Sequence, residues 1–491
     1  MIHQYQNNGY LIVMDINSGC VHTVDQAAYD VIACLNARNE NQTAETLRQD
    51  ETWEAVKAEL KDKYPEEELR EILEDVTELT ESGQLFVKDT YEPLIGEVVK
   101  RKTVVKAMCL HIAHDCNLAC RYCFAEEGEY HGRRAMMSFE VGKKALDFLI
   151  ANSGSRRNLE VDFFGGEPLM NFEVCKQLVA YARSIEQDKG KNFRFTLTTN
   201  GIGITDEVIE WANRECYNVV LSLDGRREVN DRFRKDLAGN GSYDRIVPKF
   251  QKLVRARGGK GYYMRGTFTH YNTDFTNDLF HMADDLGFDE LSMEPVVSKA
   301  GSPEALTEAD LPVLYDQYEL LARDMLRREK AGHPITFYHY MIDLAHGPCI
   351  YKRISGCGSG TEYMAVTPWG DLYPCHQFVG DPAYKLGDIW NGVTNTALRD
   401  EFKLCNVYAR PDCKDCWARL YCAGGCAANA LHATGDIHGV YEYGCKVFRK
   451  RIECALMIKV AEGLDPDLAG RRAPGPAPET DCGSCDDCKE E

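Results

Sequence analysis

The sequence predicts an α/β protein whose centre is a parallel sheet curled into a partial barrel of six strand-helix units, with a small module before it and a cysteine-rich domain after it. Three observations predict this. Apolar strand-like runs alternate with amphipathic stretches over residues 105–335. Short glycine- and cysteine-rich segments fill residues 336–460, and a hairpin signal with helical patterns occupies residues 1–90.

A chain of 491 residues has room for two or three domains, each with its own core. Its formal charge of -20 argues against nucleic acid as a partner, because phosphate binding needs clustered Lys and Arg. No apolar run is long enough to span a bilayer and the opening residues lack a signal peptide's regions, so a cytoplasmic protein with no membrane partner is expected. Twenty-one cysteines in a reducing compartment point to metal ligation rather than a disulfide framework.

In chain order, residues 10–15 and 21–24 read as a hairpin around Asn17-Ser18-Gly19, and residues 25–35, 52–63 and 66–82 as helices. Gly83 ends the last of these before an expected short strand over 84–87. This is a winged-helix-like unit, but its last helices carry Glu51, Glu54, Glu59, Glu66, Glu67, Glu68, Glu71 and Glu74, a face that repels DNA. Residues 91–104, with Pro93 and Gly96, read as a linker. The barrel strands are expected at 104–113, 159–164, 193–198, 218–223, 262–269 and 290–295, with helices between them and a last one over 308–330. Residues 461–491 form a Pro-rich tail, expected to be exposed and non-catalytic although Cys482, Cys485 and Cys488 have thiolate spacing.

The strongest motif is Cys116-Asn-Leu-Ala-Cys120-Arg-Tyr122-Cys123, directly after the first barrel strand. A cubane four-iron cluster takes four thiolates, so three on one loop leave one iron open for a ligand. A zinc site completed by His111 or His114 is the alternative. Gly165-Gly166-Glu167-Pro168 ends the second strand, Thr198-Thr199-Asn200-Gly201 the third and Ser222-Leu223-Asp224-Gly225 the fourth. Each alone is a tight turn; in order on successive strands they mark one site at the strands' carboxyl ends. Arg265 on the fifth strand and Glu294 on the sixth could also point inward, but a structural salt bridge is the expected role of each.

The spacing of Cys116, Cys120 and Cys123 resembles the signature of the radical S-adenosylmethionine (SAM) superfamily. That resemblance implies that the open iron chelates SAM and that one electron cleaves it to a 5'-deoxyadenosyl radical. It also implies SAM contacts from Tyr122, Gly165, Gly166, Glu167, Pro168, Asn200, Ser222 and Asp224, with Glu167 on the amino group.

A second pattern is Cys413-x2-Cys416-x5-Cys422-x3-Cys426, followed by Cys445 and preceded by Cys357 and Gly370-x4-Cys375. Read alone, its paired spacings also suit a zinc ribbon. The whole resembles the auxiliary-cluster domain called SPASM. The resemblance implies that Cys413, Cys416, Cys422 and Cys445 hold an outer [4Fe-4S] cluster, and Cys357, Cys375 and Cys426 an inner one. Cys349 or a substrate thiol would complete the inner site, making three clusters in all.

The amino-terminal module resembles a peptide-recognition element that captures leader peptides, where an exposed strand edge can take an added peptide strand. With residues 8–19 and 347–353, the three-part order looks most like maturases of six-cysteine (SCIFF) peptides. The implied function is thioether crosslinking of a Cys-rich precursor peptide with a leader, served by a low-potential electron donor such as a ferredoxin or flavodoxin. A formylglycine-generating enzyme of the anaerobic sulfatase-maturing type and a non-catalytic metal-binding scaffold are the alternatives.

Overall fold

In the computed structural model, which describes residues 1–38, 42–130, 132–298, 301–344 and 349–468, Asn8 and Gly9 take left-handed φ angles of 48° and 88°. Two such residues make the turn that matches the twist of paired strands. They join β1 (Ile2–Asn7) to β2 (Tyr10–Asp15), and β3 (Val21–Thr23) pairs with the other side of β2. The hairpin expected from 10–15 and 21–24 is present, with β1 as a third strand that the sequence reading had not assigned.

Four helices back this sheet: α1 (Gln26–Ala37), α2 (Ala44–Leu47), α3 (Asp50–Leu60) and α4 (Glu66–Glu81). Val13, Val31, Leu35, Trp53, Val56, Leu69 and Val76 form their common core. The glutamates of α4 fall outside that apolar stripe.

Two expectations fail in the segment that follows. Residues 84–87 are not a strand. Leu85 is buried in the core, Phe86 sits at φ 54°, and the polar side chains of the β2–β3 turn take the backbone groups a sheet would use. Asp15 Oδ2 accepts from Val87 N (2.9 Å) and Asn17 Nδ2 donates to Val87 O (2.6 Å). Nor is the segment from 91 to 104 a plain linker: Glu92–Leu94 and Ile95–Lys100 are helical. Pro93 lies in the first turn, where its missing N–H costs nothing.

The central sheet runs β4 (Ala107–His114), β6 (Asn158–Gly165), β7 (Asn192–Thr199), β8 (Cys216–Ser222), β9 (Tyr262–Phe268) and β10 (Glu290–Pro295), all parallel and in spatial order. The short β5 (Ala135–Met136) turns back along the end of β4. All six strands lie where the hydrophobic periodicity places them. Leu159, Val161 and Phe163 of β6 are fully buried beneath the helices, while Glu160, Asp162 and Phe164 alternate with them and face the other way.

The sheet does not stop at six strands. Beyond β10 lies β11 (Thr336–Phe337). On the opposite edge β12 (Tyr363–Val366) pairs in parallel with β4, and β13 (Asp371–Tyr373) returns antiparallel to β12. The cysteine-rich region is therefore continuous with the barrel sheet rather than a separate layer.

The helix Glu442–Leu464 ties the parts together. Tyr5 donates to Glu453 O (3.0 Å), and the His3 ring stacks on Trp417 with centroids 3.8 Å apart. Arg451 pairs with Glu294 (3.4 Å), so Glu294 has its ion pair with this helix. Among the described residues no helix is long and apolar enough to cross a membrane.

Arg419, 3% exposed at its side chain, joins the amino-terminal module to the cysteine-rich region, reaching Asn17 Oδ1 (2.5 Å) and Asp89 Oδ2 (2.9 Å). Removing one partner of a buried pair costs about 3 kcal/mol. Arg419→Met is expected to lower the thermal midpoint measurably and to expose the segment near residue 90 to protease, and Arg419→Lys to restore part of the loss.

Candidate active site at the barrel mouth

The three-thiol loop begins one residue beyond β4 and is held from both sides. Ala119 N donates to Lys235 O (2.7 Å) and Arg121 N to Phe233 O (3.0 Å), fixing the loop against the segment after β8. Below it, Tyr122 donates to Asp224 Oδ2 (2.6 Å) and Arg234 pairs with the same carboxylate (3.0 Å). Asp224 Oδ1 accepts from Thr267 N (3.0 Å) on β9. Asp224 is fully buried, so its charge has Arg234 as counterion. Tyr122 and Asp224, expected to touch a cofactor, thus have polar groups engaged with each other in supporting the loop.

The three sulfurs share one environment. Burial pushes the Cys116 thiol up to about 12, with Glu167, Cys120 and Cys123 adding to the shift. Burial likewise takes Cys120 to about 11, and Arg234 works against it. Thiols held up in this way need a metal to become thiolates.

Gly165 and Gly166 bring the end of β6 against the start of the loop. A Cβ on Gly166 would lie 2.0 Å from Asp115 O, and one on Gly165 2.3 Å from Ala113 O. That closeness lets Gly166 N donate to Ala113 O (2.7 Å) and Glu167 N to Asp115 O (2.9 Å). Glu167 is buried with its carboxylate already bonded: Oε1 accepts from Leu169 N (3.0 Å) and Thr199 Oγ1 (2.8 Å), Oε2 from Asn200 N (2.7 Å). Oε2 keeps capacity for one more donor. Burial raises Glu167 to about 7, against the pull of those bonds. Asn200 reaches the loop itself, donating to Asn117 Oδ1 (2.8 Å) and to Cys116 Sγ (3.6 Å). Pro168 starts the turn after β6, and Ser222 ends β8 opposite Arg265.

His111 and His114 do not complete a thiol site. Their rings bond each other, Nδ1 to Nε2 at 2.9 Å, and His114 also stacks on Tyr130. Burial holds His111 well below the ordinary range and His114 down at about 4, so both are neutral. Two lumen groups escaped the sequence reading. Asp162 on β6 is raised to about 7 by burial, with Glu160 adding and Thr196 opposing. His376 is lowered to about 4 by burial and Arg265. The alternation of Glu160 and Asp162 with the buried Leu159, Val161 and Phe163 was the available signal for Asp162.

Across the lumen, Cys357, Cys375 and Cys426 line one cavity, and Cys413, Cys416, Cys422 and Cys445 line another of about 270 Å³. Cys349 begins the helix Ile350–Ser355 and is not among the lining residues of the first cavity, whereas Cys405 is. Phe124, next to Cys123, contacts His376, next to Cys375, with ring centroids 5.5 Å apart. The loop and the inner cavity are thus neighbours. Cys482, Cys485 and Cys488 lie outside the described residues.

A single zinc ion wants its donors about 2.3 Å from one point, and among the described residues no three His, Cys, Asp or Glu side chains converge that closely. Thiols spread around a cavity suit a cluster whose irons each take one. The outer four fit such a group by donor type and by lining one cavity, and the three-thiol loop by donor type.

Residues 110–274, which hold the three-thiol loop and most of the parallel strands, match the Radical SAM superfamily. The chain is similar to a serine-type anaerobic sulfatase-maturating enzyme of Bacteroides thetaiotaomicron, 25% identical over 366 residues covering 67% of this chain and 84% of that protein. The fold resembles native anSMEcpe with bound AdoMet and the Kp18Cys peptide, at TM-score 0.60 and 21% identity over 73% of this chain and 99% of the other. It also resembles Streptococcus suis SuiB bound to precursor peptide SuiA, at TM-score 0.51 and 17% identity over 88% of this chain and 95% of the other.

Asp162 gives the site a pH signature. Its folded-state value near 7 exceeds the unfolded 3.8, so the folded state holds the proton longer and stability falls as pH rises between those values. Asp162→Asn removes the effect. Its thermal midpoint is expected to exceed the parent's by a margin that widens from pH 5 and levels off above about pH 7.

Proposed function

We propose that this chain is a radical SAM peptide maturase that installs thioether crosslinks in a Cys-rich precursor peptide. The observation that carries the reading is the Phe124–His376 contact, which sets the three-thiol loop beside the inner cysteine cavity. A peptide at the barrel mouth would lie within reach of both. Cys116, Cys120 and Cys123 hold the SAM-binding cluster; Cys413, Cys416, Cys422 and Cys445 the outer auxiliary cluster; Cys357, Cys375 and Cys426 the inner one. The chemistry these groups supply when bound is cleavage of SAM to a 5'-deoxyadenosyl radical, with uptake of the electron left over from crosslinking.

The chain's own residues bind, orient and dry the site. Glu167 Oε2 and Asn200 present acceptor and donor beside the loop, and the GG turn lets a ligand approach the backbone. His111, His114, Tyr130, Phe124, Phe164 and His376 wall the lumen with rings, the imidazoles neutral, which excludes water from a reactive carbon centre. The inner cavity is lined by Cys405 and not by Cys349, so its further sulfur is either Cys405 or the peptide thiol that reacts. The crosslink joins the peptide sulfur to an acceptor carbon, which loses one hydrogen atom as the thiol loses its proton.

Residues 1–90 are read as the leader-binding module. β3 is an edge strand among the described residues, and Val24 N turns inward to Leu11 O (3.1 Å), so by alternation the Thr23 N–H faces out. The likeness to SuiB, over more of the chain than that to anSMEcpe, supports a module shared with a precursor-peptide enzyme.

A second reading, sulfatase maturation, is favoured by the likeness to the Bacteroides thetaiotaomicron enzyme. The product separates the two. A crosslink removes two hydrogens and consumes a thiol, while formylglycine brings an aldehyde that hydrazide reagents capture.

Cys120→Ala is expected to abolish 5'-deoxyadenosine formation by anaerobically reconstituted protein given SAM and reductant. Thr23→Pro is expected to leave that activity intact and reduce precursor modification at least tenfold. Full modification by the Thr23→Pro variant would remove the edge-strand docking.

A further inference from the structure

Arg410 is among the largest fully buried side chains of the protein, 2% exposed, yet among the described residues no carboxylate pairs with it. Its Nη2 donates to Ile437 O (2.7 Å), a neutral acceptor, and its Nε–H has no partner. A permanently charged guanidinium buried this way is costly unless an anion sits beside it. Several thiols lie near it, Cys405 within hydrogen-bond reach. Burial pushes Cys413 and Cys405 each up to about 11 and raises Cys426 and Cys445, and in all four the Arg410 charge pulls the other way.

Its place is set by the chain between the two cavities. Cys422 lines the outer cavity and Cys426 the inner, and the residues separating them, Ala423, Gly424 and Gly425, all take left-handed φ of 54°, 84° and 79°. A Cβ at Gly424 would stand 3.3 Å from Arg410 Nη1, so this glycine makes room for the guanidinium. The guanidinium stands behind the walls of the two cavities, next to Gly424, which separates Cys422 of the outer site from Cys426 of the inner.

We propose that Arg410 is the shared buried counter-cation of the two auxiliary cluster sites and sets the reduction potentials of both. The proposal rests on the reading that those cysteines bind iron–sulfur clusters. A cluster ligated by thiolates carries net negative charge, which grows by one on reduction; a cation fixed nearby stabilises the reduced form and raises the potential. Arg449, by contrast, lines the outer cavity alone, where it contacts Cys416.

The test is iron content with potentiometric EPR titration of full-length protein: parent, Arg410→Gln, Arg410→Lys and Arg449→Gln. Arg410→Gln is expected to bind the parent's iron and to shift both auxiliary signals to lower potential. At fixed potential the reduced-to-oxidised ratio falls at least tenfold, a shift of about 59 mV for one electron. Arg410→Lys should stay within tenfold of the parent, and Arg449→Gln should move one signal only. Unshifted potentials in an iron-replete Arg410→Gln protein, or a shift in one signal alone, would overturn the proposal. If Arg410→Gln fails to load iron, the lysine variant decides: retained iron and near-parent potentials sustain the role of charge, and loss of iron there too assigns Arg410 to packing. A parent that carries iron for one cluster only would instead defeat the auxiliary-cluster reading itself.

Discussion

The parallel pairing of β12 with β4 is the constraint on which the rest of the structure depends. In that register Tyr363 stands beside Ala107 and Val366 beside Leu110. β4 ends in the three-thiol loop, and β12 leads through β13 to Cys375 and His376. One short ladder therefore fixes the distance between two cysteine sites that lie far apart in sequence. It also covers the open edge of β4, which in a partial barrel would otherwise present unpaired backbone groups. The Lys106–Glu362 ion pair stands at the entrance of this ladder, and Lys106 N donates to Glu362 O (2.8 Å), so side chain and backbone hold the same junction.

Much of this architecture was legible in the sequence because the barrel strands are buried on one face and carry strong periodicity. Leu159-x-Val161-x-Phe163 admits no other pattern, and the motif turns follow each strand directly. What escaped was structure set by side chains at a distance. Residues 84–87 have strand composition, but the carboxylate of Asp15, far back in the chain, captures the Val87 N–H. No local window contains both. The omission of β1 is different, since Asn8-Gly9 is a strong hairpin signal that could have been read directly. The linker reading failed because Pro93 is a helix breaker in the interior and neutral in the first turn, and only the register of the helix tells which applies.

The site was legible as a set of ligands and illegible as an electrostatic object. Seven cysteines that spacing groups line two cavities, because short intervals confine thiols to one neighbourhood, but Cys405 joins the inner lining and Cys349 does not. Spacing says nothing of Asp162, whose proton affinity comes from burial, or of His111 and His114, which satisfy each other. Glu167 shows the same limit. The motif marks it as an acceptor, but Leu169, Thr199 and Asn200 hold it from three directions, so it fixes the turn after β7 to the turn after β6 as much as it awaits a ligand.

Charge placement divides the cysteine sites in a way that sequence spacing cannot. The loop has Arg234, whose positive charge is shared with Asp224, so its net field at Cys120 is reduced. The two cysteine cavities have Arg410 between them, for which the described residues supply no such carboxylate. A full positive charge in a low-dielectric interior acts more strongly on its neighbours than one already paired. Under the proposed function, the loop that would deliver an electron to SAM is the site with the compensated cation, and the cavities that would receive one lie beside the uncompensated one.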